Sequence, residues 1–373
     1  MTDRSCDIIL PVCDQFQFTK NCIESIIART TTPYRIIVIN NGKNEDTGIY
    51  LEDVRKRLGE KILIIKNETN VGWVKALNQG IAASTAAYIC FQNDDTVVTE
   101  GWLEKMISIL EKDLKVGIVN PSWEGRPEHV SIDDYGRLVE KKHRGDYIET
   151  DWARGFCVVL KKAVVDKIGN IDEIYGLAYF DDVDFSVRAI EAGFLVALAL
   201  DTYVYHHRNV TFFQVLKGGK WNALHEKNKL IYYKRWGRPL NIAVVLGRDA
   251  CAGNALEKIK GSIFYIARKQ HHIDIWCPCD LSGVIRHTNV RIKKHGVFLT
   301  RVLAFCEFLL NMKKKEVKRY AAVFILDKTF GNLVKRSGLL RDAPLYADET
   351  GAGFEDFMKK RADEIKEDTK RRC

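Results

Sequence analysis

No stretch of this chain approaches eighteen uncharged apolar residues, so no membrane-spanning helix is expected. The opening Met1-Thr2-Asp3-Arg4-Ser5 is polar and lacks a positive region followed by an apolar core, so no secretory signal is expected either. Together the two absences predict a cytoplasmic protein, and they make Asn67-Glu68-Thr69 and Asn209-Val210-Thr211 chance matches to the glycosylation sequon. Nothing around Cys277-Pro278-Cys279 completes a zinc ligand set. The ten cysteines lie scattered, many inside apolar runs such as Ile89-Cys90-Phe91, as reduced thiols packing like small hydrophobes do. Gly247-Arg248-Asp249-Ala250-Cys251-Ala252-Gly253 lacks the glycine spacing of a dinucleotide fingerprint. Basic residues exceed acidic ones, 58 to 49, for a net charge of +9, yet they are spread along the chain and densest after Lys313. That distribution argues against a nucleic-acid partner and fits a solvated face able to associate peripherally with a membrane.

With 373 residues, 46% hydrophobic and 29% charged, the chain can build a full catalytic domain plus a second unit. Runs rich in β-branched residues at 7–12, 34–39, 62–66 and 87–91 alternate with helix-length segments around 22–27, 47–58 and 70–83. Such alternation predicts an α/β fold, a parallel sheet covered by helices. After Arg208 the chain turns aromatic and basic through Phe212-Phe213, Trp221 and Tyr232-Tyr233-Lys234-Arg235-Trp236, which predicts a helical excursion ending near Gly237-Arg238-Pro239. A second α/β series follows, with strands at 241–246, 273–277, 288–292 and 320–326 and helices at 255–269 and 297–312, and resembles half of a Rossmann-type unit. The expected organisation is a catalytic domain over 1–237, a Rossmann-like accessory domain over 238–345, and a charged tail over 346–373, helical or disordered.

Two acidic clusters carry the chemistry. Asn93-Asp94-Asp95 closes the apolar run Ala87-Tyr88-Ile89-Cys90-Phe91, so acidic side chains emerge where a buried strand ends. Oxygen ligands there favour Mg²⁺ or Mn²⁺ over zinc; the structural alternative is that Asp95 caps a helix beginning near Glu100-Gly101-Trp102. Asp181-Asp182-Val183-Asp184 opens a helix-like stretch, and Asp184 and Arg188 are spaced for an i,i+4 ion pair. The turns after the first three strands hold Asp14, Asn40-Asn41-Gly42 and Asn70-Val71-Gly72. In an open α/β sheet such turns line one crevice, whose commonest occupant is a nucleotide; turn geometry alone also selects Asn and Gly.

Taken in order, Ile8-Ile9-Leu10-Pro11-Val12 with Asp14, Val38-Ile39-Asn40-Asn41-Gly42, Asn70-Val71-Gly72-Trp73 with Ala76, Asn78 and Gly80, and Asn93-Asp94-Asp95-Thr96-Val97-Val98 with Gly101-Trp102-Leu103 resemble the blocks of a family-two glycosyltransferase of the GT-A fold. The resemblance covers roughly residues 5–210 and continues through Gly155-Phe156-Cys157, Ile168-Gly169-Asn170-Ile171-Asp172-Glu173 and Tyr179-Phe180-Asp181-Asp182-Val183-Asp184-Phe185 to Ala192-Gly193-Phe194. It implies a nucleoside-diphosphate sugar donor, a UDP- or dTDP-sugar, held by Pro11, Val12, Asp14, Asn40, Asn41, Asn70, Gly72, Lys75, Asn78, Asn93 and Asp94. Leu77 stands where many members carry an arginine, which leaves Lys75 as the candidate cation, and Asp14 stands where relatives often have Asn. The metal set it implies is Asp95, with Asp94 on the metal or the ribose and a histidine, His206 or His207, after the strand at 195–205.

Breaking the bond from the anomeric carbon to a pyrophosphate builds negative charge on the leaving oxygens, which a divalent cation neutralises. On the opposite face a carboxylate takes the proton of the acceptor hydroxyl. Asp182 is favoured for this and Asp181 is close behind, since a helix start points only one of them into the crevice. The expected outcome is inverting transfer to a glycan or lipid-linked acceptor, as in polysaccharide biosynthesis; the competing reading is a catalytically silent nucleotide-sugar or glycan-binding module. The accessory domain resembles the amino-terminal half of a GT-B enzyme and is assigned to docking an acceptor or a protein partner, with a structural appendage as the alternative. Donor specificity is expected to sit in loops such as 122–150.

Overall fold

The computed structural model describes residues 4–207, 220–251, 253–312, 320–337 and 345–347, with positions 360, 363, 364 and 367 of the tail. Phe212-Phe213, the second sequon and most of the charged tail lie outside the described residues. The chain forms two compact units, Met1–Ile231 and Tyr232–Cys373.

The first unit runs β1 (Cys6–Val12), α1 (Phe16–Arg29), β2 (Tyr34–Asn40), α2 (Glu45–Leu58), β3 (Ile62–Lys66), α3 (Trp73–Ala83), β4 (Tyr88–Gln92), β5 (Thr96–Val98) and α4 (Trp102–Lys112). It continues through β6 (Val116–Ser122), α5 (Ile132–His143), β7 (Tyr147–Thr150), β8 (Cys157–Lys161), α6 (Lys162–Ile168), α7 (Asp181–Glu191) and β9 (Leu195–His206) into α8 (Lys220–Trp236), whose last turn from Tyr232 falls in the second unit. The sheet order is β3-β2-β1-β4-β8-β6-β9-β5, with β7 on β9. From β3 to β4 all pairs are parallel, as the alternation of strand and helix predicts. At β4 the sheet changes character, because β8 runs antiparallel to both β4 and β6, giving a mixed sheet.

Strand periodicity sorts the core into two layers. Ile8, Leu10, Ile36, Val38 and Cys90 face a cluster shared with α1, α2 and α4, whereas Ile9, Ile37, Ile39, Ile89 and Phe91 face one shared with α3, α6 and α7. Strands buried on both faces read as continuous apolar runs, which made them visible in the sequence. The segment expected to be loop at 122–150 instead holds α5 and β7. Ser131 caps α5 by accepting from the Asp134 backbone N–H at 3.0 Å, and β7 pairs antiparallel with β9.

The second unit contains β10 (Asn241–Leu246), α9 (Gly253–Arg268), β11 (His272–Cys277), β12 (Val290–Lys294), α10 (Val297–Met312), β13 (Tyr320–Leu326), α11 (Lys328–Ser337) and β14 (Leu345–Ala347). Its sheet is parallel throughout in the order β12-β11-β10-β13-β14, the Rossmann-like arrangement expected. The strand expected from residue 288 starts at Val290, because the Val290 N–H to His287 carbonyl bond makes a turn first.

Gly80, within the motif read as donor-binding, is a packing residue: a Cβ there would overlap Ile9 Cγ2 on β1. Gly80→Ala is therefore expected to destabilise the first unit by about 1–3 kcal/mol through overpacking, measured by urea denaturation.

Candidate functional site

The C-terminal ends of the parallel strands open into a pocket of about 710 Å³. It is lined by Pro11, Val12, Asn41, Asn70, Gly72, Asn93, Asp94, Asp95, Asp181, Asp182 and His206 among the residues singled out from the sequence. Parallel register brings these together, since Val12 pairs with Asn40 and Ile9 with Phe91, so β1, β2 and β4 all end at the same edge of the sheet. In the third turn, Gly72 has φ +84°, a conformation that favours glycine, and its N–H donates to Asn70 Oδ1 at 2.8 Å.

Four expected donor-site residues lie outside this lining. Asp14 turns back on the protein, where its Oδ1 accepts from the Lys43 and Asn44 backbone N–H groups at 2.6 and 2.8 Å. Asn40 Oδ1 accepts from the Gly42 N–H at 3.0 Å. Asn78 clamps α3 to the chain before α7, donating to the Ile171 carbonyl at 3.0 Å and accepting from its N–H at 3.1 Å. Lys75 is exposed on the outer side of α3, while Val74, Leu77, Asn78 and Ile81 turn inward.

On one wall, the β5–β9 pairing sets Thr96 opposite His206 and thereby carries His206 to Asp95. His206 Nε2 lies 3.1 Å from Asp95 Oδ1, an oxygen that is buried and accepts no hydrogen bond. Helix α4 starts instead at Trp102 with Gly101 as its cap, so the capping alternative for Asp95 does not hold. His207 points away, its ring packed against Phe18 and Tyr205, and burial lowers its pKa. Asp94 accepts from Thr19 Oγ1 at 3.1 Å, and burial together with the charge of Asp95 pushes its pKa up to about 7.

The facing wall is the start of α7. Asp182 accepts from the Gly155 N–H at 3.0 Å and from the Val183 N–H at 2.8 Å, and it is only half-buried. Asp181 is buried, takes a hydrogen bond from the Trp73 side chain, and has its pKa pushed up to about 8 by burial and then by Asp182. Burial also raises Asp182, against the backbone donors and the nearby Arg154 charge. Asp184 is fully buried, ion-paired to Arg188 at 2.9 Å as the spacing predicted, and hydrogen-bonded by the Tyr175 hydroxyl at 3.2 Å. Ahead of the helix, Tyr179 and Phe180 both adopt positive φ, at 70° and 68°, a strained pair in a segment that lines the pocket.

An orphaned buried carboxylate oxygen beside an imidazole nitrogen is a donor set that suits a divalent cation. Neighbouring ligands on an octahedral ion with bonds of about 2.0–2.1 Å are themselves roughly 3 Å apart. Among the described residues no three His, Cys, Asp or Glu side chains form a ready-made metal cage. Sequence reading missed Trp123, Trp152, Arg154 and His225 of the lining. Arg154 lies over the rings of Trp123 and Trp152, at 4.0 and 4.6 Å, and since Trp123 is distant in sequence no local signal marked the group.

Residues 7–168 match the sequence profile of Glycosyl transferase family 2. An uncharacterized glycosyltransferase of Haemophilus influenzae is 35% identical over 97 residues, 26% of this chain and 30% of the relative. Glycosyltransferase GlyA of Streptococcus pneumoniae is 27% identical over 239 residues, 61% of this chain and 33% of the relative. The chain thus spans about a third of the length of these curated relatives. Among solved structures, mannosyltransferase PcManGT from Pyrobaculum calidifontis in complex with GDP-Man and Mn²⁺ aligns with a TM-score of 0.46 at 15% identity, covering 61% of this chain and 65% of that one. Over residues 7–168, within its first unit, the chain thus resembles glycosyl transferase family 2.

Proposed function

We propose that this chain transfers a sugar from a nucleoside-diphosphate sugar to a hydroxyl of a glycan or lipid-linked glycan, inverting the anomeric carbon and using a divalent cation. One observation carries the reading: Asp95 with His206, and Asp182 with Asp181, line the same pocket. Asn41 and Asn70 of the lining would offer hydrogen-bonding groups to the nucleoside end of the donor, and Asn93 and Asp94 would meet its ribose and phosphates. Asp95 and His206 would hold Mn²⁺ or Mg²⁺, which when bound supplies Lewis-acid neutralisation of charge on the leaving diphosphate.

Asp182 is the general base. It is exposed to the pocket and keeps both oxygens near backbone donors that favour the carboxylate, whereas the more deeply buried Asp181 holds its proton toward neutral pH. In the step, Asp182 accepts the acceptor hydroxyl proton, that oxygen bonds to the anomeric carbon, and the bond to the diphosphate breaks, releasing the nucleoside diphosphate. A single displacement inverts the configuration.

Asp182→Asn is expected to lower kcat by about 10²–10⁴-fold while donor binding is kept, read by nucleoside-diphosphate release and by a thermal-shift titration. Near-normal turnover would remove Asp182 from the base role. Asp95→Ala should lose the Mn²⁺-dependent rise in melting temperature produced by a UDP- or dTDP-sugar, and full activity in chelator would end the metal assignment. Stability should also report on Asp181. Its folded pKa is above its unfolded value of about 4, so between about pH 4 and pH 8 the native state binds more protons than the unfolded state. The contribution is present at low pH and lost as pH rises to about 8; urea midpoints should fall over that range, and Asp181→Asn should flatten the slope.

A further inference from the structure

Helix α10 of the second unit is apolar on the side that should be polar. Thr300, Ala304 and Phe308 face inward and are buried, as an i,i+4,i+8 stripe requires. Among the described side chains, every exposed position of this helix is also apolar: Phe298, Leu299, Val302, Cys306, Leu309 and Leu310, with Phe298 79% and Leu310 57% exposed. Residues spaced this way share one face. A contiguous apolar face of that kind marks a surface that meets a partner.

Length and charge identify the partner. Sixteen residues rise about 24 Å, short of the roughly 30 Å hydrocarbon core, and no helix among the described residues is long and apolar enough to cross a membrane. Directly after Met312 the sequence reads Lys313-Lys314-Lys315-Glu316-Val317-Lys318-Arg319, five basic residues against one acidic. An apolar helix face followed in the sequence by a basic run complements an anionic lipid surface, where acyl chains lie under negative headgroups. A second copy of this chain carries the same net charge of +9, which opposes self-association. We propose that α10 is an interfacial docking helix, with its Phe298–Leu310 face entering the headgroup region of an anionic lipid bilayer.

The test is co-sedimentation of the full chain with phosphatidylcholine vesicles, with and without phosphatidylglycerol. Binding is expected with phosphatidylglycerol and should weaken as salt rises. Phe298→Glu combined with Leu310→Glu should cut the bound fraction at least roughly tenfold and leave the melting temperature unchanged, since both side chains are exposed. Should that variant fail to fold, an environment-sensitive fluorophore on Cys306 of the otherwise unaltered chain gives an independent reading. Its emission should shift to the blue with phosphatidylglycerol vesicles, and a Cys306→Ser control should lack the signal. No co-sedimentation and no emission shift would overturn the proposal, as would undiminished binding by the folded double variant. A dimer in light scattering that the double variant abolishes would assign the face to a second copy instead.

Discussion

Three consecutive residues, Arg154-Gly155-Phe156, tie the two walls of the pocket to each other. The Gly155 N–H holds the Asp182 carboxylate, the Phe156 carbonyl accepts from the Asn93 N–H at 2.8 Å, and the Phe156 ring stacks on His206 with centroids 4.9 Å apart. A charge-assisted hydrogen bond, a backbone bond at a strand end and a ring stack thus fix, from one short segment, acidic residues on both walls. These residues lead into β8, the strand that reverses the sheet, so the change from parallel to antiparallel pairing delivers them to the crevice.

The electrostatics follow a common pattern on both walls. Each holds a pair of adjacent aspartates, and in each a deeply buried member, Asp94 or Asp181, is pushed upward by lost hydration and by the charge next to it. A like-charge pair in a dry pocket eases its repulsion by sharing out protons. The Gly155 and Val183 N–H groups, together with the Arg154 charge, favour the carboxylate form of Asp182 against its burial.

Much of this was legible in the sequence because it is local. Strands buried on both faces announce themselves as apolar runs, and acidic residues directly after such a run have to emerge where the strand ends, so Asp94, Asp95 and the parallel strands could be read off. The spacing of Asp184 and Arg188 gave their ion pair for the same reason. Partners chosen by distant register were hidden: nothing near Asn78 says that it binds Ile171, nothing near Asp14 says that it holds the loop at residues 43–44, and no local pattern places Trp123 and Trp152 on either side of Arg154. Lys75 is a different case, since the phase of Val74, Leu77 and Ile81 on α3 already points it outward.

Asn228 of α8, fully buried, donates to the carbonyls of Tyr175 and Ala178 at 2.7 Å and of Tyr179 at 3.2 Å, latching the strained stretch that precedes Asp181. His225, one turn earlier, packs its ring against Tyr179 and Phe180. The latch lies some sixty residues beyond the end of the family match at residue 168, in a region read from composition only as an aromatic, basic excursion. A boundary drawn at the last recognisable motif would therefore discard the side chain that fastens the stretch ahead of the acidic helix.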